Sequence, residues 1–249
     1  MKKTIFALLL VLAATTLWAD CPTCYFYGGD LNINDPDRNG FPNENDAIVS
    51  GNPYGAASYQ NFVVDGGVSV TGLFSNDFMT GQLVVSPTAK GTIPTKTAYW
   101  EIRSGVSEGN GGTLLASGSG PDTVTATGLR EFGYDIYKNS VAASVDLASG
   151  TYWFAVVPLC TTCFGRSWNA NTDGLNSVGT QIPDQQFFNS VFFGANFTNA
   201  NNEGIFQTFS SGVLAGSSQF AAVPEPSSLV LLGSGLMGAA VAARRRWFS

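Results

Sequence analysis

Four cysteines stand at two identical spacings, Cys21-Pro22-Thr23-Cys24 and Cys160-Thr161-Thr162-Cys163. Thiols at C-x-x-C spacing support three chemistries. Two pairs together complete a tetrahedral four-cysteine zinc site. One pair alone is a redox-active dithiol when it opens a helix in a βαβ setting, and neither pair here has such a setting. The third outcome is disulfides, whose pairing the spacing does not decide. Local bridges, Cys21 to Cys24 and Cys160 to Cys163, would stabilise little. Bridges between the pairs would close loops longer than about a hundred residues, worth up to ~4–5 kcal/mol in the chain-entropy view.

A second cluster offers hard oxygen ligands. In the run from Asp35 to Asp46, Asp35, Asp37 and Asn39 take positions 1, 3 and 5 of an EF-hand-like loop, with Gly40 at 6 and Asp46 at 12. Calcium is the cation such a set would take. An Asp in place of Glu at position 12, Pro42 in the middle and the lack of flanking helices point to a different scaffold. A polar Asx-turn loop leading into the first strand is the competing reading.

Other catalytic constellations are sparse. The chain has no histidine, which removes Ser-His-Asp and Cys-His catalysis and every histidine-based metal site. Glu101, Glu131 and Asp135 are the carboxylates inspected for a hydrolytic pair. Alternation along the chain places Glu101 on a solvent face, and nothing in the sequence links the three. Tyr99, Tyr152 and Trp168 are nominees for stacking on sugar rings. Aromatic residues in such a chain are more often core.

The elements that must position these groups read as strands. Gly67-Val68-Ser69-Val70-Thr71 alternates with period two. The run Thr97 to Arg103 puts Trp100 and Ile102 on one face and Glu101 and Arg103 on the other. Asp122 to Thr127, Tyr134 to Tyr137 and Gln186 to Phe193 continue the pattern. Ser149 to Val157 is apolar on both faces and reads as a central strand. Turn signals fall at Asp65-Gly66-Gly67, Gly109 to Gly112, Gly118-Ser119-Gly120-Pro121 and Thr172-Asp173-Gly174. The spacing predicts an all-β fold, an antiparallel β-sandwich or jelly roll. The segments at Trp100, at Leu114 to Gly118 and at Leu147 to Trp153 resemble, in their order, jelly-roll modules of bacterial surface proteins. That resemblance implies architecture only.

Charge narrows the partners. Between Asp20 and Pro226 stand seven basic and eighteen acidic side chains, a surplus of eleven negative charges. Such a body has no electrostatic footprint for nucleic acid or anionic lipid.

Both ends read as addresses. Lys2 and Lys3 precede an apolar run from Ile5 to Ala14. Leu17-Trp18-Ala19 then offers a cleavage site before Asp20, so residues 1–19 are expected to be a signal helix removed on export. Asp20 before Cys21 is wrong for a lipoprotein signal. At the other end, Val223-Pro224-Glu225-Pro226 is followed by an uncharged apolar run at 227–243 and then Arg244-Arg245-Arg246. The prolines forbid helix through this break. Seventeen apolar residues make about 25 Å of helix, at the short limit for a membrane span. The arginines would stay cytoplasmic, leaving the body outside. Gly233-Ser234-Gly235-Leu236-Met237-Gly238 mimics a dinucleotide fingerprint, but it lies inside this span with no βαβ unit around it.

The tail resembles a PEP-CTERM sorting signal of exported bacterial surface proteins. The resemblance covers residues 223–249 and implies handling by an exosortase, a membrane protease or transpeptidase. It also implies a surface or exopolysaccharide-rich destination. Export in turn favours disulfides over free thiols. The expectation is a signal at 1–19, a β-sandwich ectodomain at 20–222 and a sorting tail at 223–249 with one transmembrane helix. The protein is expected to be non-enzymatic, with a structural or adhesive role. A carbohydrate-binding module and a secreted carboxylate-pair hydrolase are the alternatives.

Overall fold

The structure, a computed structural model, describes residues 21, 23–31, 39–43, 55–79, 96–159, 167–183, 185–191, 193–200 and 208–216. The chain divides into two units, Met1–Gly216 and Ser217–Ser249, and every described residue belongs to the first. The expected signal helix at 1–19 and the span at 227–243 lie outside the described residues. Among the described residues no helix is long and apolar enough to cross a membrane.

Every described element is a strand. In chain order they are β1 (Cys24–Tyr27), β2 (Gly40–Pro42), β3 (Ala56–Val64), β4 (Val68–Met79), β5 (Lys96–Ser104), β6 (Thr113–Glu131) and β7 (Tyr134–Leu147). They continue with β8 (Gly150–Leu159), β9 (Ser167–Thr172), β10 (Phe187–Ser190), β11 (Ala195–Asn199), β12 (Thr208–Phe209) and β13 (Ser211–Ala215). Hydrogen bonding runs in the order β1-β13-β4-β7-β6-β5-β8-β3-β10-β11. Strand β9 joins β2, β12 and the end of β4. All pairings are antiparallel. The all-β expectation therefore holds, with one difference. The strands form a single open, curled sheet instead of two separate ones.

Strand β6 makes the curl. Its residues up to Asp122 pair with β5, and from Thr123 onward it pairs with β7. Pro121 lies where the partner changes, so its missing N–H interrupts a ladder that is already ending. The curl brings β1, β13, β4 and β7 over β5, β8 and β3. Phe26, Leu73, Val141 and Val213 from one side meet Phe62, Trp100, Ile102 and Phe154 from the other in one apolar cluster. Each fully buried side chain of this size contributes roughly 1.5–3 kcal/mol.

The Gly118-Ser119-Gly120-Pro121 run is strand, not the turn its composition predicts. A Cβ at Gly118 would stand only 3.0 Å from the indole nitrogen of Trp100. The glycine serves a close approach, letting the large ring lie against the backbone of β6.

Strand β8 is central, as its composition predicts. It lies between β5 and β3. Phe154 and Val156 enter the first cluster, while Trp153, Ala155 and Val157 enter a second with Tyr59, Tyr99, Phe187 and Phe197. The face of β5 and β8 away from the curl is thus covered as well.

Candidate functional site

The β6–β7 hairpin closes through Phe132 and Gly133, at φ 50° and 84°. Two positive φ values in a two-residue loop are the type I′ geometry that right-handed strand twist favours. Asn-Gly is the usual pair. A phenylalanine at the first position is a genuine outlier, because its Cβ crowds the backbone in the left-handed region. Burial offsets only part of this, since the residue is 57 % exposed.

That ring forms part of an aromatic cleft of about 210 Å³, lined by Asn39, Gly40, Phe78, Phe132, Tyr134 and Trp168. Phe132 stands edge-on to Phe78 at 5.6 Å. Tyr134 lies 5.5 Å from Trp168, with the two rings 35° from parallel. The strands that hold these residues are β2, β4, β7 and β9, joined by the pairings of β9 with β2 and with the end of β4. Gly40 keeps the floor open, for a Cβ there would sit 2.8 Å from the Phe78 ring. Among the described residues, Asn39 Nδ2, the Tyr134 hydroxyl and the Trp168 indole N–H have no hydrogen-bond partner in the protein. The Asn39 carboxamide oxygen accepts from the Gly40 N–H at 2.8 Å.

Among the described residues three carboxylates are buried, Asp77, Glu101 and Glu131, and none of them lines this cleft. Asp77, fully buried on β4, accepts from Asn139 at 2.8 Å, from the Ser75 hydroxyl at 3.1 Å and from Asn43 at 3.3 Å on each oxygen. Burial pushes its carboxyl up to about 8. The Ser75, Asn43 and Ser167 hydrogen bonds oppose the rise, and the Asp122 charge adds to it. Desolvation outweighs the donors because no cation is among the groups that shift it.

Glu101 corrects a sequence expectation. It is 1 % exposed, not on a solvent face. Its carboxylate accepts from the Tyr59 hydroxyl, from the Tyr99 hydroxyl at 2.8 Å and from Arg103 Nε at 2.6 Å. Arg103 also donates to the Gly111 carbonyl at 3.1 Å and lies over the Phe197 ring at 5.3 Å. The two faces of β5 alternate as the sequence predicts, but the second face is covered by the aromatic cluster that includes Phe197 of β11. Glu131 is buried near the end of β6, and Asp135 is exposed, 3.7 Å from Arg130. Neither Glu101 nor Asp135 lines the aromatic cleft.

The other nominated residues separate. Tyr99 is buried with its hydroxyl on Glu101, and Tyr152 donates to the Ala148 carbonyl at 2.9 Å while packing on Phe62. Both are held by the fold; only Trp168 of the three aromatic nominees lines the cleft. Cys21 and Cys24 form a disulfide with Cα atoms 5.3 Å apart, so the first pair bridges locally. Cys160 and Cys163 lie outside the described residues, as do Asp35, Asp37 and Asp46 of the calcium loop. Asn39 alone of that set's oxygen ligands is described, on the cleft rim. Among the described residues no group of three or more His, Cys, Asp or Glu could hold a metal. The sequence reading missed Phe78, Phe132 and Tyr134 as site residues. The signal available was an aromatic residue at the Asn position of an X-Gly turn.

Val223, Pro224, Glu225, Pro226 and Arg244, Arg245 and Arg246 also lie outside the described residues. Here comparison with known proteins contributes directly. A family model described as the PEP-CTERM protein-sorting motif matches residues 222–246. The chain therefore carries a PEP-CTERM sorting tail, the mark of an exported protein of the kind exosortases process. No curated relative and no solved structure matches the chain.

Proposed function

We propose that this is a non-enzymatic protein delivered to the cell surface or the surrounding matrix, where its β-body has a structural or adhesive role. The observation that carries this reading is the sorting motif at residues 222–246. The body is acidic, poor in charge and built wholly of strands where described, which suits a passive extracellular module. Its doubled sheet would work as a β-sandwich, a rigid platform on which surface loops are displayed. The signal at 1–19 would engage the export machinery. The apolar run at 227–243 would hold the chain in the membrane until an exosortase-type protease acts near Pro224-Glu225-Pro226.

The second reading, a carbohydrate-binding module of an exopolysaccharide matrix, is favoured by the aromatic cleft at Trp168. A carboxylate-pair hydrolase gains no such support. Glu101 is sealed beneath two tyrosines and Arg103, and Asp135 stands exposed beside Arg130.

Replacing Pro224, Glu225 and Pro226 together by alanine tests the sorting role. The expected result is accumulation of the unprocessed chain in the membrane fraction and its loss from the surface. Unchanged surface delivery with unchanged mass would overturn the reading.

A further inference from the structure

We propose that the cleft walled by Phe132, Tyr134 and Trp168 binds a pyranose ring of a neutral polysaccharide. This deepens the carbohydrate-binding reading above and rests on it.

Three observations converge. The first is the strain at Phe132. A type I′ turn favours asparagine or glycine at this position, and phenylalanine raises the free energy of the hairpin. The residue is 57 % exposed and meets Phe78 edge-on at 5.6 Å, so packing offsets only part of the strain. A side chain kept against the preference of its own backbone and left more than half exposed points to a use for the ring itself.

The second is size and charge. At about 210 Å³ the cleft is below the roughly 300–1,000 Å³ of sites for drug-sized ligands, and it fits a single ring. The six described lining residues include no Asp, Glu, Lys or Arg. Near the hairpin turn, Arg130 and Asp135 stand 3.7 Å from each other and Glu131 is buried. Among the described residues, an ionic ligand would find no counter-charge on these walls. A neutral one with an apolar face loses no hydration of charge on entering.

The third is the pairing of flat faces with polar edges. A pyranose offers C–H faces that stack on aromatic rings and equatorial hydroxyls around its rim. The cleft offers the rings of Phe132, Tyr134 and Trp168 together with the Asn39 amide, the Tyr134 hydroxyl and the Trp168 indole N–H. Aromatic side chains with one polar edge suit a surface that is half apolar and half wet. Because a polysaccharide repeats its ring, each strand offers the cleft many equivalent positions.

The test is calorimetric titration of the protein, purified from its native surface, with neutral tetrasaccharides of glucose, galactose and mannose. Galacturonan tetrasaccharide serves as the acidic comparison. Phe132→Asn and Trp168→Ala are measured beside it, with thermal unfolding of each. The expected result is binding of at least one neutral tetrasaccharide, weakened tenfold or more by either substitution. Phe132→Asn should at the same time leave the unfolding temperature unchanged or higher, because asparagine suits the turn. That combination separates loss of a binding wall from loss of fold. No binding across the neutral panel would overturn the proposal, as would binding that survives both substitutions or a preference for the acidic sugar. Self-association that disappears in Trp168→Ala, without sugar binding, would assign the cleft to a second copy instead. The assay uses purified protein, so a sorting failure leaves its result unaffected, and a binding failure leaves the sorting reading intact.

Discussion

Asp77 shows how one carboxyl can make the whole fold sensitive to pH. Its ordinary value is 3.8 and burial raises it to about 8 in the folded chain. Between those values the folded state holds a proton that the unfolded state has released. Stability from this group is therefore fully present below about pH 4 and is lost as pH rises toward 8. The slope is at most ~1.4 kcal/mol per pH unit for a single group. Denaturation at pH 5, 6.5 and 8 should show the native protein weakening with rising pH, and Asp77→Asn should flatten the profile. Parallel profiles for the two proteins would contradict the assignment. The position of Asp77 was not legible in the sequence. Val68 and Val70 face the core at the start of β4, and that alternation carried forward would turn Asp77 outward. A register shift between Val70 and Gly72 reverses the phase, so that Leu73, Ser75 and Asp77 face inward. A bulge leaves no reliable mark on an alternating pattern. Glu101 was misplaced for another reason. The alternation was right, but a sequence does not say whether the second face of a sheet is covered.

At the scale of elements, the contrast between β8 and β6 is the most direct expression of the fold. Strand β8 is apolar on both faces because it separates two clusters, and its composition announced this. Strand β6 alternates exposed and half-buried residues from Leu115 to Thr125, and its inward positions include Ala116, Gly118 and Gly120. Its glycines and Pro121 resemble turn composition, so the sequence broke one long strand into pieces. The contrast predicts unequal mutational costs. Phe154→Ala should cost about 3–5 kcal/mol, since the ring is 1 % exposed and packs on Phe26 and Phe62. Leu115→Ala, at a position 45 % exposed on β6, should stay within about 0.5 kcal/mol. Equal losses in chemical denaturation would mean that the core has been placed on the wrong strands. The cleft shares this dependence on topology. Trp168 was legible as an aromatic residue, whereas its meeting with Phe132 and Tyr134 follows from the pairing of β9 with β4 and of β4 with β7.

For the molecule as a whole, destination was far more legible than action. A sorting tail is read in sequence order, by machinery that meets Pro-Glu-Pro, an apolar span and a basic plug along the chain. It needs no folded context, which is why residues 222–246 alone identify it. A binding cleft is assembled from side chains distant in sequence, here from Asn39 to Trp168, and no local pattern announces it. The account joins the two: a β-body sent outside the cell, with its tail serving as an address to be removed. The intact mass of the protein recovered from its native surface, with and without reductant, tests this most directly. The account predicts a chain beginning at Asp20 and ending near Pro226, gaining at least two hydrogens on reduction from the Cys21–Cys24 bridge. A mass that retains Arg244 to Ser249 would contradict it, leaving a permanently membrane-anchored protein whose tail is never processed.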